Sequence, residues 1–353
     1  MDFTKRAEAF FKLGEFLNQF TSKPPIKGDS ALNKDFFDAF SELVNRAVES
    51  NGWFTKSNVT HAISAWANCL DQKSFDAWLS KYDLESVKKT KTIGMIAAGN
   101  IPLVGFHDVV SVLISGHKLQ IKLSKKDHAL MFFLLQLLQV IAPEFKDRIE
   151  ITEGNLNDYD AVIATGSGNS ARYFEYYFGQ QPNIIRKNRN SIAIITGNET
   201  PEELKALGED VFRYYGLGCR NVSKIYIPED YNLEPVFLGL FHYKDIIEHK
   251  KYENNYDYNK AVFMMSQFKL RDNGFIVMKE DSSFTSPIGA LFYETYTHIE
   301  VLKKELVKNA DHLQCIVASG GIIENEIPFG KTQEPALWDY ADGVDTIEFL
   351  LEL

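Results

Sequence analysis

The stretch "TIGMIAAGNIPLVGFHDVVSVLISGHKLQIKLSKKD", residues 92–127, decides the fold. It opens on a short apolar run, "TIGMIAA" (92–98), turns at Gly99, and continues as the helix-length "GNIPLVGFHDVVSVLIS". It closes on a second apolar run, "KLQIKL" (118–123). Strand, turn, helix, strand is the unit from which parallel sheets are built, because parallel neighbours need a crossover connection. The unit then recurs. The helix-like "DHALMFFLLQLLQVIAPE" leads to "DAVIAT" (160–165), the helix-like "NSARYFEYYF" to "SIAIIT" (191–196), and "TPEELKALGEDVFRYYG" follows. A second series runs through "VSKIYIP" (222–228), "GFIVM" (274–278), "IGALFYE" (288–294) and "LQCIVAS" (313–319). The expected class is α/β: two doubly wound, Rossmann-like parallel sheets with helices on both faces.

Outward from this frame, residues 1 to about 86 read as helical. "NKDFFDAFSELVNRAVESNGWF" places Phe36, Phe37, Phe40, Leu43, Val44 and Ala47 on one helical face. His61 and Cys69 fall in this part and read as a helix-surface and a packing residue. At the other end, the β-branched and aromatic residues of "VDTIEFLLEL" predict a terminal strand. The tract "HYKDIIEHKKYENNYDYNK" (242–260) reads as a solvated loop or helix face carrying His242 and His249. The expected organisation is a helical region over 1–90, a nucleotide-binding domain over 91–212 and a cysteine-bearing catalytic domain over 213–321. A C-terminal return segment covers 322–353.

Composition narrows the classes. Hydrophobic residues make up 45% and charged residues 24% of the 353, as in a globular protein too long for one simple core. A net charge of −10 argues against nucleic acid as the main partner. The 14-residue run "ALMFFLLQLLQVIA" (129–142) is too short to span a bilayer and reads as a buried helix. The N-terminus lacks the features of a secretory signal. Three scattered cysteines, Cys69, Cys219 and Cys315, suit neither a disulfide framework nor a metal cage. A cytoplasmic protein without a metal centre is expected.

Two stretches carry nucleotide signals. "ATGSGNSARYF" sets Gly166, Gly168 and Ala171 at G-x-G-x-x-A spacing between a strand and a helix. Glycines there let backbone approach a pyrophosphate at a helix N-terminus. In "IKLSKKD", Lys122, Lys125 and Lys126 gather at a strand end. They read either as a solvated charge run or as a phosphate site. No carboxylate stands there until Asp127 to repel a ribose 2′-phosphate, so a dinucleotide bound there would be NADP rather than NAD.

Catalytic signals lie elsewhere. Cys219 sits in "GLGCRN" between small residues and beside Arg220, an accessible polar turn of the kind a nucleophilic thiolate needs. Asn100, in the turn "AAGNIPL", is the chemical type of an oxyanion donor. His107 follows two helical turns later and reads best as a helix residue oriented by polar neighbours. Cys315, inside an apolar strand pattern, reads as core.

These residues together resemble the aldehyde dehydrogenase superfamily. Residues 94–127 resemble its stretch from P-W-N-F-P to L-K-P-S-E, and "ATGSGNSARYF" its F-T-G-S segment. "GLGC" is similar to its G-Q-x-C nucleophile, "IPFG" (327–330) to its late P-F-G, and "YADGVDTIEFLLEL" to its closing strand. Within it, "RKNRNSIAIITGNE" and "ADGVDTIEFL" look most like the LuxC-type acyl-CoA reductases. The resemblance implies Cys219 as nucleophile and Asn100 as oxyanion donor. It implies Lys122 and Ser124 at the adenosine ribose, and Gly166 and Ser167 at the pyrophosphate.

Three departures matter. Arg186 stands where the dehydrogenases carry a water-activating glutamate, Ser283 where they carry a cofactor-gripping glutamate, and Lys125 where a glutamate holds the ribose hydroxyl in many NAD-preferring members. Loss of the water-activating base suits an enzyme whose acyl-cysteine is reduced rather than hydrolysed. The resemblance therefore implies NADPH-dependent reduction of a fatty acyl thioester to aldehyde, with acyl-CoA or an acyl carrier as substrate. It also implies an acyl-protein synthetase as partner and a homo-oligomer joined through the terminal strand. An acyl-phosphate reductase and an inactive nucleotide-binding partner subunit are the alternatives. Arg186, Lys187 and Arg189 read as surface charge, and Glu199 as part of a turn.

Overall fold

The computed structural model describes all 353 residues except Glu85, Ser86, Lys88, Ser167 and Asn188. The chain forms two compact units, Met1–Lys187 with Ala336–Leu353, and Asn188–Pro335.

The first unit begins with α1 (Phe3–Asn18), α2 (Phe37–Ser50), α3 (Lys56–Cys69) and α4 (Gln72–Leu79). Asp2, Thr55 and Asp71 cap α1, α3 and α4 by accepting the N–H groups of Lys5, Asn58 and Ser74, satisfying donors that the first turn leaves unbonded. Phe16, Phe20 and Phe40 are buried together, and the rings of Phe20 and Phe40 meet edge-on at 4.8 Å.

The chain then alternates through β1 (Thr92–Ile96), α5 (Phe106–Ile114), β2 (Lys118–Lys122), α6 (His128–Ile141), β3 (Ile149–Ile151), β4 (Ala161–Thr165), α7 (Gly168–Phe178) and β5 (Asn183–Arg186). These strands form one parallel sheet in the order β3-β2-β1-β4-β5. Helices cover both faces of such a sheet, so its strands are apolar without alternation: Ala161, Val162, Ile163 and Ala164 are all fully buried. The apolar run 129–142 falls in α6 and its C-cap; the helix buries Leu134, Leu135, Leu137 and Leu138 and sets the Phe133 ring 4.9 Å from that of Phe40 of α2 at a tilt. No helix among the described residues is long and apolar enough to cross a membrane.

The second unit contains β6 (Asn190–Ile194), α8 (Pro201–Phe212), β7 (Val222–Pro228), α9 (Glu234–Leu240), α10 (Lys250–Met265), β8 (Leu270–Asp272), β9 (Val277–Glu280), β10 (Ala290–Tyr296), α11 (Ile299–Lys308) and β11 (Leu313–Val317). Its sheet runs β11-β6-β7-β10-β9-β8, parallel except for β8. The expected α/β class with two parallel sheets is what the chain forms.

Three expectations are corrected. The boundary falls at residue 188 rather than 212, because β6 pairs with β7 and β11 and so belongs to the second sheet. The tract 242–260 takes the helix-face form of its two expected readings and is largely exposed, but it is not wholly solvated: Tyr252 and Tyr256 of α10 are buried, and the Tyr252 hydroxyl donates to Phe275 O at 3.0 Å. The terminal strand is instead a helix, α12 (Thr346–Leu351). Asp345 caps it through Glu348 N at 3.0 Å, and Ile347 and Leu350, three apart, are both fully buried. Amphipathic packing overrides the strand propensity of Thr, Ile and Phe here.

Candidate active site

In the first unit, the sheet's connectivity sets the site. From β1 the chain steps outward to β2 and β3, then returns to the other side of β1 as β4. Ligands of open α/β sheets bind outside the carboxyl ends of the strands at such a reversal. The turn after β1 carries Asn100, the turn after β2 carries Ser124 and Lys125, and the turn after β4 begins with Gly166. Lys122 is the last residue of β2. Asn100, Lys122, Ser124, Lys125 and Gly166 thus share one edge of one sheet. Ser167 lies outside the described residues.

Glycine is required twice on this edge. A Cβ on Gly99 would lie 2.4 Å from Ser124 Oγ and 3.1 Å from Asp127 N, so the turns after β1 and β2 interlock only without a side chain there. A Cβ on Gly166 would lie 2.7 Å from Ser170 Cβ and 2.8 Å from the Phe174 ring. This close entry of strand into helix suits a turn that approaches phosphate. Lys125 and Lys126 are exposed, residues 122–126 contain no carboxylate, and Asp127 is buried with its Oδ2 accepting the Leu103 N–H at 2.7 Å. Lysines and turn N–H groups are donors of the kind that the phosphates of a dinucleotide accept from.

In the second unit, Cys219 follows an unusual backbone. Tyr214, Tyr215 and Gly216 are all left-handed, with φ of 54°, 60° and 75°, a strained conformation for the two tyrosines that neighbouring bonds must hold. Asn221, 3% exposed, supplies them: its amide donates to Asp210 O at 2.9 Å and Arg213 O at 2.8 Å, and its Oδ1 accepts from Gly218 N at 2.8 Å. Ser191 Oγ donates to Cys219 O at 2.9 Å, tying the loop to the start of β6. Arg220 Nε donates to Thr332 O.

Asp210, fully buried on α8, accepts from Gly330 N at 2.6 Å and from Thr332 N and Oγ1 at 3.0 and 2.9 Å. Burial pushes its carboxyl up to about 6 against the pull of these donors. It joins "IPFG" to the cysteine loop through Asn221. Neither Asn221 nor Asp210 stands out in the sequence. The available signal was polar side chains, "ED" and "RN", set into apolar surroundings.

Of the other cysteines, Cys315 is buried in β11, and burial pushes the Cys69 thiol up to about 11. His107 is locked in structure: its Nε2 lies 2.8 Å from Leu337 O, Trp78 and Tyr340 pack on its ring, and burial holds it below the usual histidine range. His249 precedes α10 and stacks on Tyr215 at 4.3 Å. Ser283 is exposed, its N–H bonded to Asp281 Oδ1 at 2.8 Å.

Arg186 is a correction. It is 5% exposed rather than surface charge, pairing through both terminal nitrogens with Asp108 of α5 and donating to Thr346 Oγ1 at 3.1 Å. Lys187 makes the exposed contact instead, 2.7 Å from Glu175, and Arg189 Nη1 donates to Leu313 O at 3.4 Å.

No family model and no curated protein matches the sequence. The fold, in contrast, is similar to solved aldehyde dehydrogenases. Aldehyde dehydrogenase 21 from Physcomitrella patens, in complex with succinate, superposes with a TM-score of 0.67 at 13% identity, over 100% of this chain and 84% of that one. The Δ-pyrroline-5-carboxylate dehydrogenase of Mycobacterium tuberculosis, bound with NAD, gives 0.62 at 12% identity over 99% and 77%. An aldehyde dehydrogenase C mutant from Pseudomonas syringae, complexed with NAD+ and octanal, gives 0.61 at 13% over 85% and 69%. The chain has the aldehyde dehydrogenase fold. Its structural neighbours are members of that superfamily at low sequence identity.

Proposed function

We propose that this protein is a LuxC-type reductase that converts a fatty acyl thioester to fatty aldehyde with NADPH, through an acyl-Cys219 intermediate. The Cys219 thiolate attacks the thioester carbonyl, and Asn100 donates a hydrogen bond to the oxyanion that develops. The carbonyl re-forms as the bond to the coenzyme A or carrier sulfur breaks, and that thiolate leaves and takes a proton. Bound NADPH supplies the hydride that brings the acyl group to the aldehyde level. Collapse of the hemithioacetal then expels the aldehyde and returns the Cys219 thiolate. Lys122, Ser124 and Gly166, with Ser167 and Lys125, are the residues proposed to hold the dinucleotide, Lys125 favouring a 2′-phosphate.

The observation that carries this reading is Arg186. The position to which the resemblance gives a water-activating carboxylate holds a buried guanidinium engaged by Asp108 and Thr346. A guanidinium stays protonated and cannot act as a base, so nothing at that position promotes hydrolysis of the acyl-cysteine. An enzyme that oxidises aldehydes needs that hydrolysis. One that reduces thioesters gains from its absence. An acyl-protein synthetase as donor, a homo-oligomer and a cytoplasmic location belong to the same proposal.

The test is intact-protein mass after mixing with tetradecanoyl-CoA in the absence of NADPH. The expected result is an acyl adduct on the wild type that Cys219→Ala lacks and that NADPH discharges. A protein that binds NADPH but takes up no acyl group would favour the acyl-phosphate or non-catalytic alternative.

A further inference from the structure

Asp127 is the last residue of the turn after β2 and precedes α6, yet its side chain makes no capping bond to that helix. It points sideways instead, and Oδ2 accepts the N–H of Leu103 at 2.7 Å. Leu103 is left-handed, with φ of 57°, in the turn that carries Asn100. A leucine adopts this conformation only where its surroundings impose it. The same turn is pressed against Asp127 from its other end, since a Cβ on Gly99 would come within 3.1 Å of Asp127 N. Asn51 Nδ2 donates to Lys126 O at 3.2 Å and fixes the supporting segment from below. Asp127 is 4% exposed, and its Oδ1 is buried with no hydrogen-bond partner among the described residues.

We propose that Asp127 is the positioning residue for Asn100: by holding the Leu103 N–H, it fixes the backbone of the turn on which the Asn100 side chain stands. The value of positioning Asn100 rests on the function proposed above; the hold on Leu103 does not. The charge state of Asp127 governs the hold. The 99–105 turn packed on it carries no titratable side chain, and the end of α2 offers the neutral Asn51. The charged or titratable groups of its own segment are Lys122, Lys125, Lys126 and His128, and Lys125 and Lys126 are exposed. Burial pushes the carboxyl up to about 8, opposed only by the Leu103 N–H. Below that pH the neutral acid sits dry with one oxygen bonded. Above it, a carboxylate with a bare buried oxygen is tolerated only if the turn opens to water.

The experiment compares wild type, Asp127→Asn and Asp127→Ala by hydrogen exchange at the Leu103 amide and by the pH profile of kcat/KM for acyl-CoA reduction. In the wild type, Leu103 protection is expected to fall above about pH 8 beyond the intrinsic base-catalysed rise, together with kcat/KM. Asp127→Asn keeps an oxygen for Leu103 and cannot ionise, so both changes should vanish. Asp127→Ala should leave Leu103 unprotected at every pH and lower kcat/KM by about 10- to 100-fold, the scale of a misplaced catalytic group. The proposal is overturned if Asp127→Asn keeps the wild-type pH dependence of Leu103 exchange, or if Leu103 stays protected in a folded Asp127→Ala. Should Asp127→Ala not fold, the Asn variant alone decides. Should the wild type show no turnover, the proposed function falls, while the exchange measurement still decides the role of Asp127.

Discussion

The guanidinium of Arg186 and the carboxylate of Asp108 form a two-pronged, buried pair, with Nη2 2.7 Å from Oδ1. Arg186 ends β5 and Asp108 lies in the first turn of α5, while Thr346 Oγ1, at the start of α12, accepts from the same nitrogen. The pair therefore ties sheet, helix and returning C-terminal segment together. Its cost of desolvation is offset only while both partners are present.

Arg186→Met should consequently destabilise the protein by about 3–5 kcal/mol, because Asp108 is left charged and dry. The double variant Arg186→Met with Asp108→Leu should recover most of that loss. Arg186→Glu should unfold the first unit rather than create a hydrolytic dehydrogenase, since two carboxylates would face each other in the core. Urea denaturation of the three variants checks the order, and an Arg186→Glu variant as stable as wild type would show that the pair is not structural.

Lys125 tests the cofactor side. It is exposed beside Ser124 and has no carboxylate in the preceding turn residues to compete for it. Lys125→Glu should weaken NADPH binding by about tenfold or more, the scale of a charge-assisted contact turned repulsive. NADH binding should change little. Fluorescence titration with the two dinucleotides separates the outcomes: equal losses for both would mean that Lys125 does not read the 2′-phosphate.

Asp210 makes a pH-dependent contribution whose sign is fixed. Its folded value lies at about 6 against an ordinary 3.8, so between those pH values the folded protein keeps a proton that the unfolded chain has released. Stability must fall as pH rises through that window, by at most about 1.4 kcal/mol per pH unit, and level off above it. Asp210→Asn lacks this titration. The stability difference between wild type and Asp210→Asn, measured by urea denaturation, should shrink steadily up to about pH 6 and then stay constant. A difference independent of pH would remove Asp210 as a titrating group.

The sheet framework was legible in the sequence because it is written locally. Strands β1, β2 and β4 are apolar runs bounded by glycine or lysine, and the turns after them hold Asn100, Ser124, Lys125 and Gly166. What escaped depends on distant partners. Arg186 reads as one cation in "RKNRN", and nothing within that run announces Asp108, 78 residues away, as its mate. The C-terminal helix carries strand-like residues, and only the buried face of Ile347 and Leu350 against the first unit's core makes it helical. Asn221 follows Cys219 by two positions, but its role appears only once α8 brings the carbonyls of Asp210 and Arg213 to it.

Asn221 gives the sharpest test of the cysteine loop. Alanine there removes two donors and one acceptor that hold Gly218, Arg213 and Asp210, at a cost of about 1–3 kcal/mol. Ser191 still holds the Cys219 carbonyl, so the loop loosens without detaching. Small alkylating agents need only access, whereas acyl transfer needs a fixed approach of sulfur to carbonyl. In Asn221→Ala, acyl-adduct formation from tetradecanoyl-CoA should therefore slow by about tenfold or more, while iodoacetamide labelling of Cys219 stays equal or rises. At pH 8, labelling should spare Cys69, whose thiol is held at about 11, and the buried Cys315. Peptide mapping of the labelled protein reads all three sites at once. If both rates fell together, Asn221 would control exposure of the thiol. If only acylation fell, it would control its aim, as the side-chain bonds of Asn221 require.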